Sequence, residues 1–290
     1  MEELIRMDEA PGIPEHVLLV DCKDRPGLVH AITGVLFRAG ANVVSNHEFV
    51  DAETQRFFMR TACRGDLDAD SIRREIAGML PDSAGVRIRT SAPRRIVVMA
   101  SKEHHCLADL LVRGAYRELG AEIIAVVSNH DNLRPLAAKF GVPFHYVPHE
   151  GMSREAHENA LEAVIAPLRP DYIVLAKYMR VLGGAFVARW PNRIVNIHHS
   201  FLPAFTGARP YHQAFNRGVK VIGATAHFVS EKLDEGPIIM QQVMPMDHSY
   251  SPAELARAGR DVERNVLSNS LRLVNEDRVF LCGNRTIIFD

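Results

Sequence analysis

The sequence predicts an α/β protein of two domains, a small β-α-β-β-α-β unit followed by a doubly wound, mainly parallel sheet. Its 290 residues exceed the usual size of a single domain. In the first ninety residues, two helical patterns are separated by a pair of strand-like segments. From residue 95 onward, apolar strand-like runs alternate with helical patterns, which is typical of a parallel sheet. We therefore place the small domain at residues 1–90, a linker at 91–94 and the large domain at 95–290.

Composition narrows the class of protein. The 34 basic and 35 acidic residues leave a net charge of -1, so neither nucleic acid nor a membrane is an expected partner. No apolar run approaches the roughly 20 residues that span a bilayer, and the first residues, MEELIRMDEA, are acidic rather than signal-like. The four cysteines form no CxxC pair. We expect a cytoplasmic protein with reduced thiols.

The small domain follows from its local patterns. HVLLVDC predicts a strand, the turn at residues 24–27 leads into a helix that Gly40 ends, and two strands meet across residues 51–53. A helix over about 70–80 and the strand GVRIRT complete a ferredoxin-like order. The run D-R-P-G-L, the helix after it and RAGANVVSNHEF resemble the ACT regulatory domain over about residues 14–90.

The ACT resemblance implies that an amino acid or another small effector binds near the first loop, often between paired ACT domains. We therefore expect a homo-oligomer with a probable amino-acid effector. Gly27 is the first candidate, because without a Cβ it lets a ligand approach the backbone and the following helix. Leu28 and Asn46 are further candidates. The alternative is that Gly27 only permits the turn after Pro26.

The large domain alternates strands and helices. After the strand RIVVMAS come EIIAVVSN, VPFHYVP, DYIVLAK and RIVNIH, with helices predicted near 107–119, from 132, over 153–168 and over 183–188. The segment from Pro203 to Pro210 is expected to be a loop, because its prolines and Gly207 oppose a helix or a central strand. Two strands, GVKVIGATAHFV and PIIMQQVMP, a helix over 252–275 and a hairpin at 282–284 close the chain.

Asn196 and His198 stand out in the strand RIVNIH. They are two apart, so a strand presents both on one face. They also lie at the carboxyl end of a strand, where a doubly wound sheet binds its ligands. A carboxamide can stabilise a developing oxyanion, and an imidazole can move a proton near neutral pH. The pair therefore indicates acyl-group chemistry.

Three motifs give this pair a family context. N-I-H-x-S-x-L-P-A-F at 196–205, G-A-T-x-H-F-V at 223–229 and L-D-x-G-P-I-I at 233–239 resemble the folate-dependent formyltransferases. The resemblance implies a catalytic trio of Asn196, His198 and Asp234. It also implies a folate pocket along L-A-K-Y-M-R-V-L at 175–182, with the contacts Tyr178, Met179, Val181, Leu182 and Leu233. The alternative for these apolar side chains is an ordinary place in the core.

The formyl acceptor is a separate question. The loop at residues 99–106, MASKEHHC, contains no glycine and is poorly built to surround a phosphate with backbone N–H groups. This disfavours a nucleotide acceptor, and the absence of a basic C-terminal tail disfavours transfer RNA. The resemblance then implies hydrolysis of 10-formyltetrahydrofolate to formate and tetrahydrofolate. Such a reaction would balance the one-carbon folate pool and supply formate for purine biosynthesis, with no cofactor besides the substrate.

Other functions stay open at this level. A formyltransferase to an unidentified amine would use the same motifs, and a non-catalytic sensor would use only the ACT domain. A metal-dependent amidohydrolase is conceivable because histidines are numerous, but no metal-ligand spacing is present and we expect no metal. The sequence does not assign roles to His199, Arg209 and His212.

Overall fold

A computed structural model describes residues 15–81, 83–90, 92–203 and 210–290, with only the backbone described at 210–212. Contacts between residues divide the chain into two compact units, and the division falls between Ala92 and Pro93. The predicted bounds of 1–90, 91–94 and 95–290 stay a prediction. The first strand of the larger unit begins at Arg94, the last residue of the predicted linker. Among the described residues no helix is both long enough and apolar enough to cross a membrane.

The smaller unit is a four-stranded antiparallel sheet with two helices. The strand order is β2-β3-β1-β4, as the ferredoxin-like prediction requires. Both helices pack on the sheet through side chains such as Ile32 and Ile76, which are fully buried. Asp68 caps the second helix by accepting hydrogen bonds from the N–H groups of Asp70 and Ser71. The elements are β1 (Glu15–Lys23), α1 (Leu28–Arg38), β2 (Asn42–Asp51), β3 (Arg56–Arg64), α2 (Ala69–Met79) and β4 (Gly85–Thr90).

The larger unit contains a seven-stranded sheet between helices. Its elements are β5 (Arg94–Ala100), α3 (His105–Ala115), β6 (Ala121–Ser128), α4 (Arg134–Lys139), β7 (Phe144–Tyr146), α5 (Arg154–Ile165), a 3-10 turn (Ala166–Leu168), β8 (Tyr172–Leu175), α6 (Gly184–Arg189), β9 (Ile194–His198), α7 (Pro210–Arg217), β10 (Val221–Phe228), β11 (Ile238–Pro245), α8 (Pro252–Asn275), β12 (Val279–Cys282) and β13 (Arg285–Ile288). The sheet order is β11-β10-β9-β8-β5-β6-β7, and β12 pairs with β13 as a separate hairpin.

Strand direction confirms the doubly wound, mainly parallel prediction. Strands β7, β6, β5, β8 and β9 run parallel, and β10 and β11 are antiparallel to their neighbours at one edge. The chain reverses its winding between β5 and β8, which are adjacent in the sheet. Ligands of such sheets bind outside the carboxyl ends of the strands near this reversal. Both β8 and β9 end there.

One helix was not predicted. The sequence indicated a loop through Pro210, but α7 begins at that residue. The prediction was wrong because proline is unfavourable only in a helix interior. In the first turn its fixed φ suits the helix and its missing N–H group would have had no partner. Helix α3 also begins two residues earlier and ends four residues earlier than predicted, at His105 and Ala115.

The long helix α8 covers the edge of the sheet that bears the antiparallel strands. Ser251 and Glu254 form a reciprocal capping box at its start, which satisfies two backbone N–H groups. Its apolar face, including Val266 and Leu271, joins the core made by β9 and β10. The same helix carries Glu263, whose side chain is completely buried. A buried carboxylate on a helix needs charged partners, and these lie beside the site described next.

Candidate active site

Asn196 and His198 lie on β9, between β8 and β10. Asn196 is opposite Leu175 of β8 and opposite His227 of β10. Two residues on, His198 is opposite Thr225. Strand alternation puts both β9 side chains on the same face, where they line one pocket. The structure thus brings the predicted amide and imidazole together.

Asp234 completes this group from a separate loop. Its Oδ2 atom lies 3.3 Å from Nδ1 of His198, although Asp234 comes 36 positions later in the chain. This contact places the proton of a neutral imidazole on Nδ1 and leaves Nε2 for the reaction. Nε2 of His198 is buried and has no hydrogen-bond partner among the described residues. A buried ring nitrogen without a partner is costly unless a substrate supplies one.

The loop at Asp234 is held in an uncommon conformation. Asp234 has φ +56°, a left-handed value that few residues other than glycine adopt. Two residues on, a Cβ atom at Gly236 would lie 1.8 Å from the carbonyl oxygen of Phe228, so only glycine fits. The Asp-x-Gly motif therefore has a steric reason. Gly236 allows the loop to lie against the end of β10, and the Asp234 carboxylate then lines the pocket.

The Asp234 carboxylate is strongly favoured in its ionised form. The hydrogen bond from His198, and after it the nearby ring of His227, hold the pKa of this carboxyl group well below its usual range. Nε2 of His227 lies 3.7 Å from Oδ1 of Asp234. The site therefore contains a fixed negative charge beside two imidazoles.

His227 belongs to the site, and the sequence argument did not assign it this role. Its Nδ1 atom lies 2.9 Å from the carbonyl oxygen of Phe228, and its Nε2 atom lies 3.2 Å from Nδ2 of Asn196. In the neutral tautomer with Nδ1–H, Nε2 accepts one amide hydrogen of Asn196 and fixes the rotation of that side chain. The sequence contained a signal for this position, because His227 lies two residues after Thr225 in a predicted strand. A strand places both of these polar side chains on the same face of the sheet.

The pocket has a volume of about 250 Å³ and contains the trio at one side. All five residues predicted to bind folate line it. Tyr178 is 6% exposed and also packs in the core, whereas Met179 is 59% and Leu233 is 64% exposed. Val181 and Leu182 lie between these extremes. Large apolar side chains exposed around a pocket are typical of a binding surface. Tyr178 both lines the pocket and packs in the core, and its contact with folate stays a prediction.

Residues 178–182, the wall segment, are anchored at both ends. The N–H group of Met179 donates to Oγ of Ser101 over 3.0 Å. The N–H group of Gly183 donates to the buried carboxylate of Glu158 over 2.7 Å. These bonds fix an irregular segment that no strand or helix supports. The wall of the pocket is therefore preorganised.

The segment after β9 is also fixed. Thr225 is fully buried, and its hydroxyl donates to the carbonyl of Ser200 and accepts from the N–H group of Leu202. His199 stacks on His198 with ring centroids 4.9 Å apart. Arg209 and the side chain of His212 lie outside the described residues.

The three predicted effector residues differ in their surroundings. Gly27 has φ +85°, so its backbone conformation favours glycine. The side chain of Leu28 is buried in the core of the smaller unit. The amide of Asn46 accepts from the hydroxyl of Thr61 and donates to the carboxylate of Glu48, both over 2.6 Å. Of the three, Gly27 offers the most open approach, since no atom lies within 4 Å of the position of a Cβ.

One group of side chains has the composition of a metal site. The ligand atoms of His105, Cys106 and Glu263 lie within 4.8 Å of one another, and all three residues are buried. However, Nζ of Lys177 lies 3.3 Å from the carboxylate of Glu263 and already supplies a positive charge. Burial also raises the pKa of the Cys106 thiol well above its usual range, which disfavours the thiolate that binds metals. The group is better described as a buried ion-pair cluster.

Comparison with known proteins agrees with the fold and with the motifs. Residues 16–77 match the ACT domain family and residues 94–271 match the formyl transferase family. The chain is 53% identical over 277 residues to a formyltetrahydrofolate deformylase of Escherichia coli O6:H1, which covers 96% of this chain and 99% of that protein.

Solved structures give the same result. A crystal structure of a formyltetrahydrofolate deformylase from Pseudomonas syringae pv. tomato is 39% identical with a TM-score of 0.92, covering 97% of this chain and 96% of that one. The glycinamide ribonucleotide transformylase 1 of Symbiobacterium toebii is 33% identical with a TM-score of 0.66, covering 68% of this chain and 95% of that one. The chain belongs to the formyltetrahydrofolate deformylase family, with an ACT domain followed by a formyl transferase domain.

Proposed function

We propose that this protein hydrolyses 10-formyltetrahydrofolate to formate and tetrahydrofolate. The observation that carries the proposal is the grouping of Asn196, His198 and Asp234 at one side of a pocket whose apolar wall suits a pterin ring. The E. coli relative, which matches 96% of this chain, bears the name of this activity.

The reaction proceeds by addition of water and loss of the amine. Water, positioned by the Asp234 carboxylate, attacks the formyl carbon, and the carbonyl oxygen becomes an alkoxide. The amide of Asn196 has one N–H group directed at His227 and a second that can donate to this alkoxide. His198, as imidazolium stabilised by Asp234, gives the proton on Nε2 to N10 while the bond between the formyl carbon and N10 breaks. The proton lost by water returns through the carboxylate to His198, and formate leaves with the release of one proton.

The test is release of formate by the purified full-length protein. We expect formate from 10-formyltetrahydrofolate without any added acceptor. Asp234→Asn should lower kcat by several orders of magnitude, because it removes the charge that stabilises the imidazolium and keeps the shape of the side chain. Binding of the folate should be largely retained. An Asp234→Asn variant with full activity would contradict the mechanism.

We infer a regulatory role for the ACT domain, with an amino acid as effector near Gly27. A hydrolysis that consumes a formyl carrier needs control, and the same control would balance the one-carbon folate pool and supply formate for purine biosynthesis in the cytoplasm. The main-chain freedom of Gly27 supports close approach of a small ligand. Formate release should therefore respond to at least one amino acid in a panel of twenty. Insensitivity to every one of them would count against the effector.

We also propose a homo-oligomer that pairs along β2. This strand is at an edge of the small sheet, and Val43, Val44 and Phe49 are at least 40% exposed in the single chain. An apolar edge strand with unpaired backbone groups favours pairing with a second copy. Val44→Lys should lower the sedimentation mass at micromolar concentration, while the exposed Lys139→Glu, far along the chain on α4, should not change it.

A further inference from the structure

A buried ion-pair cluster lies beside the active site and has no role in the mechanism above. Glu263 of α8, Lys177 after β8 and His105 at the start of α3 each have a side chain no more than 6% exposed. Oε2 of Glu263 lies 3.3 Å from Nζ of Lys177 and 2.6 Å from Nε2 of His105. Burying charges in this way is costly and is often no more stabilising than an apolar core. The cluster therefore calls for a functional reason.

The cluster fills the place where a doubly wound sheet would admit a second ligand. The winding reverses between β5 and β8, and the crevice at such a reversal is the usual binding position. Lys177 follows the end of β8, and its carbonyl oxygen accepts a hydrogen bond from the N–H group of Ser101 at the end of β5. His105 begins α3, the helix that follows β5. Both side chains contact the carboxylate of Glu263, so the cluster joins the segments that follow β5 and β8 to helix α8.

Lys177 also forms part of the active-site wall. It lines the same pocket as Asn196 and His198, and Leu175, two residues before it, pairs in register with Asn196. Among the described residues, the lining of this pocket includes Lys177 but none of the loop at residues 101–104. The pocket therefore ends at the lysine on this side.

The backbone of Lys177 is strained as well. It has φ +62°, and Asp234 at φ +56° is the other non-glycine residue of the pocket lining with a positive φ. Such conformations persist only where the surroundings enforce them, and they gather at functional sites. Glycine would adopt this conformation without strain, so the lysine side chain is present despite its backbone cost.

We propose that Lys177, held in place by Glu263 and His105, determines which acceptor reacts. Its side chain closes the end of the pocket that an amine acceptor would occupy. The inference rests on the proposed hydrolysis and explains its choice of nucleophile. An amine acceptor would need this space for its carbon chain, and a protonated amine would also meet the ammonium charge of Lys177. Water needs no such space. In the closed pocket an oxygen of water bonds to the formyl carbon, the bond between that carbon and N10 breaks, N10 takes one proton, and formate leaves with release of a second. In an opened pocket an amine nitrogen would bond to that carbon and lose a proton, the bond to N10 would break, and N10 would take a proton. An N-formylamine and tetrahydrofolate would then leave.

The experiment opens the pocket and measures which product forms. Lys177→Gly is combined with Glu263→Gln, because removing the lysine alone would leave a buried carboxylate with one partner fewer. Each protein receives 10-formyltetrahydrofolate with a carbon-13 formyl group and excess glycinamide at mildly alkaline pH, and NMR measures N-formylglycinamide and formate. The control is Lys102→Gly, which removes an exposed lysine from the neighbouring loop outside the pocket lining.

The double variant is expected to form N-formylglycinamide at about ten times the detection limit or more, since small pocket changes alter selectivity on this scale. Wild type and Lys102→Gly should give formate alone. A folded double variant that releases formate and forms no N-formylglycinamide would overturn the proposal, as would formylation of glycinamide by the wild type.

If the double variant does not fold, Lys177→Met provides the second measurement. Methionine keeps most of the volume and removes the charge, so a smaller but detectable amount of N-formylglycinamide is expected, and its absence would overturn the proposal. Wild type that releases no formate in the absence of glycinamide would instead refute the proposed hydrolysis. The two ideas thus fail in different arms of one experiment.

Discussion

Replacing Asn196 by alanine tests the proposed stabilisation of the alkoxide. One N–H group of its amide lies against Nε2 of His227, and the second is available to the reacting oxygen. Because the alkoxide is absent from the bound substrate, losing this donor should lower kcat and leave KM nearly unchanged. A single oxyanion donor is worth about 2.7–4 kcal/mol. Since each 1.36 kcal/mol is a factor of ten, kcat should fall about a hundredfold to a thousandfold.

The assay is steady-state formate release over a range of 10-formyltetrahydrofolate concentrations. Gln242→Ala is the matched control, because it removes an exposed amide from β11 that is not part of the pocket lining. Asn196→Asp keeps the shape of the side chain but has no N–H donor, and it should be at least as slow as Asn196→Ala. Circular dichroism of each variant checks that the sheet is intact.

Two results would refute this reasoning. A fall in kcat of less than about fivefold would mean that the amide contributes too little for an oxyanion donor. A raised KM with unchanged kcat would mean that Asn196 binds the ground state and the transition state equally. In either case the position of the amide beside His227 would need another explanation.

Three further predictions concern the supports of the site. Gly236→Ala should lower both kcat and the unfolding temperature, because its Cβ would lie 1.8 Å from the carbonyl oxygen of Phe228. The control is Gly78→Ala on α2, where a Cβ would have no neighbouring atom within 4 Å. This control should leave the unfolding temperature unchanged or raise it. Ser251→Ala should lower the free energy of unfolding by about 0.5–2 kcal/mol in urea titrations, because it removes the N-cap of α8. The lowered pKa of Asp234 contributes stability that is present above the ordinary carboxyl pKa of about 3.9 and is lost as the pH falls further. The difference in unfolding temperature between wild type and Asp234→Asn should therefore be largest near neutral pH and should become smaller below about pH 4. If the difference stayed constant below pH 4, the ionised state of this carboxylate would be contradicted.

The parts of the fold that depend on local patterns could be predicted from the sequence. Fully buried strands such as β5 and β8 appear as short apolar runs, and the alternation of strand and helix determines a parallel sheet. The start of α7 could not be predicted in this way, because Pro210 and the nearby Gly207 are compatible with both a loop and a helix N-terminus. Tertiary contacts decide between them.

The same distinction applies to the site. Asn196, His198 and Asp234 lie within short motifs, and the strand period already places the first two on one face. The register that sets His227 beside Asn196 depends on how β10 returns antiparallel to β9, which local patterns do not determine. The pair of His105 and Glu263 is harder still, because 158 residues separate them and a glutamate in an amphipathic helix is normally exposed.

The proposed chemistry and the proposed choice of acceptor depend on different strands of the large sheet. In the proposed mechanism, Asn196 and His198 on β9 and Asp234 on the loop after β10 move the proton and stabilise the alkoxide, and these roles do not depend on the nucleophile. In our proposal, the residues that follow β5 and β8 take no part in the chemistry and determine which molecules can reach the formyl carbon. We therefore expect a change of acceptor to need substitutions around Lys177 and none in the trio. Under this proposal, a transformylase and this chain can share a fold and differ in the formyl acceptor. The difference would lie in a buried cluster that contacts no reacting atom.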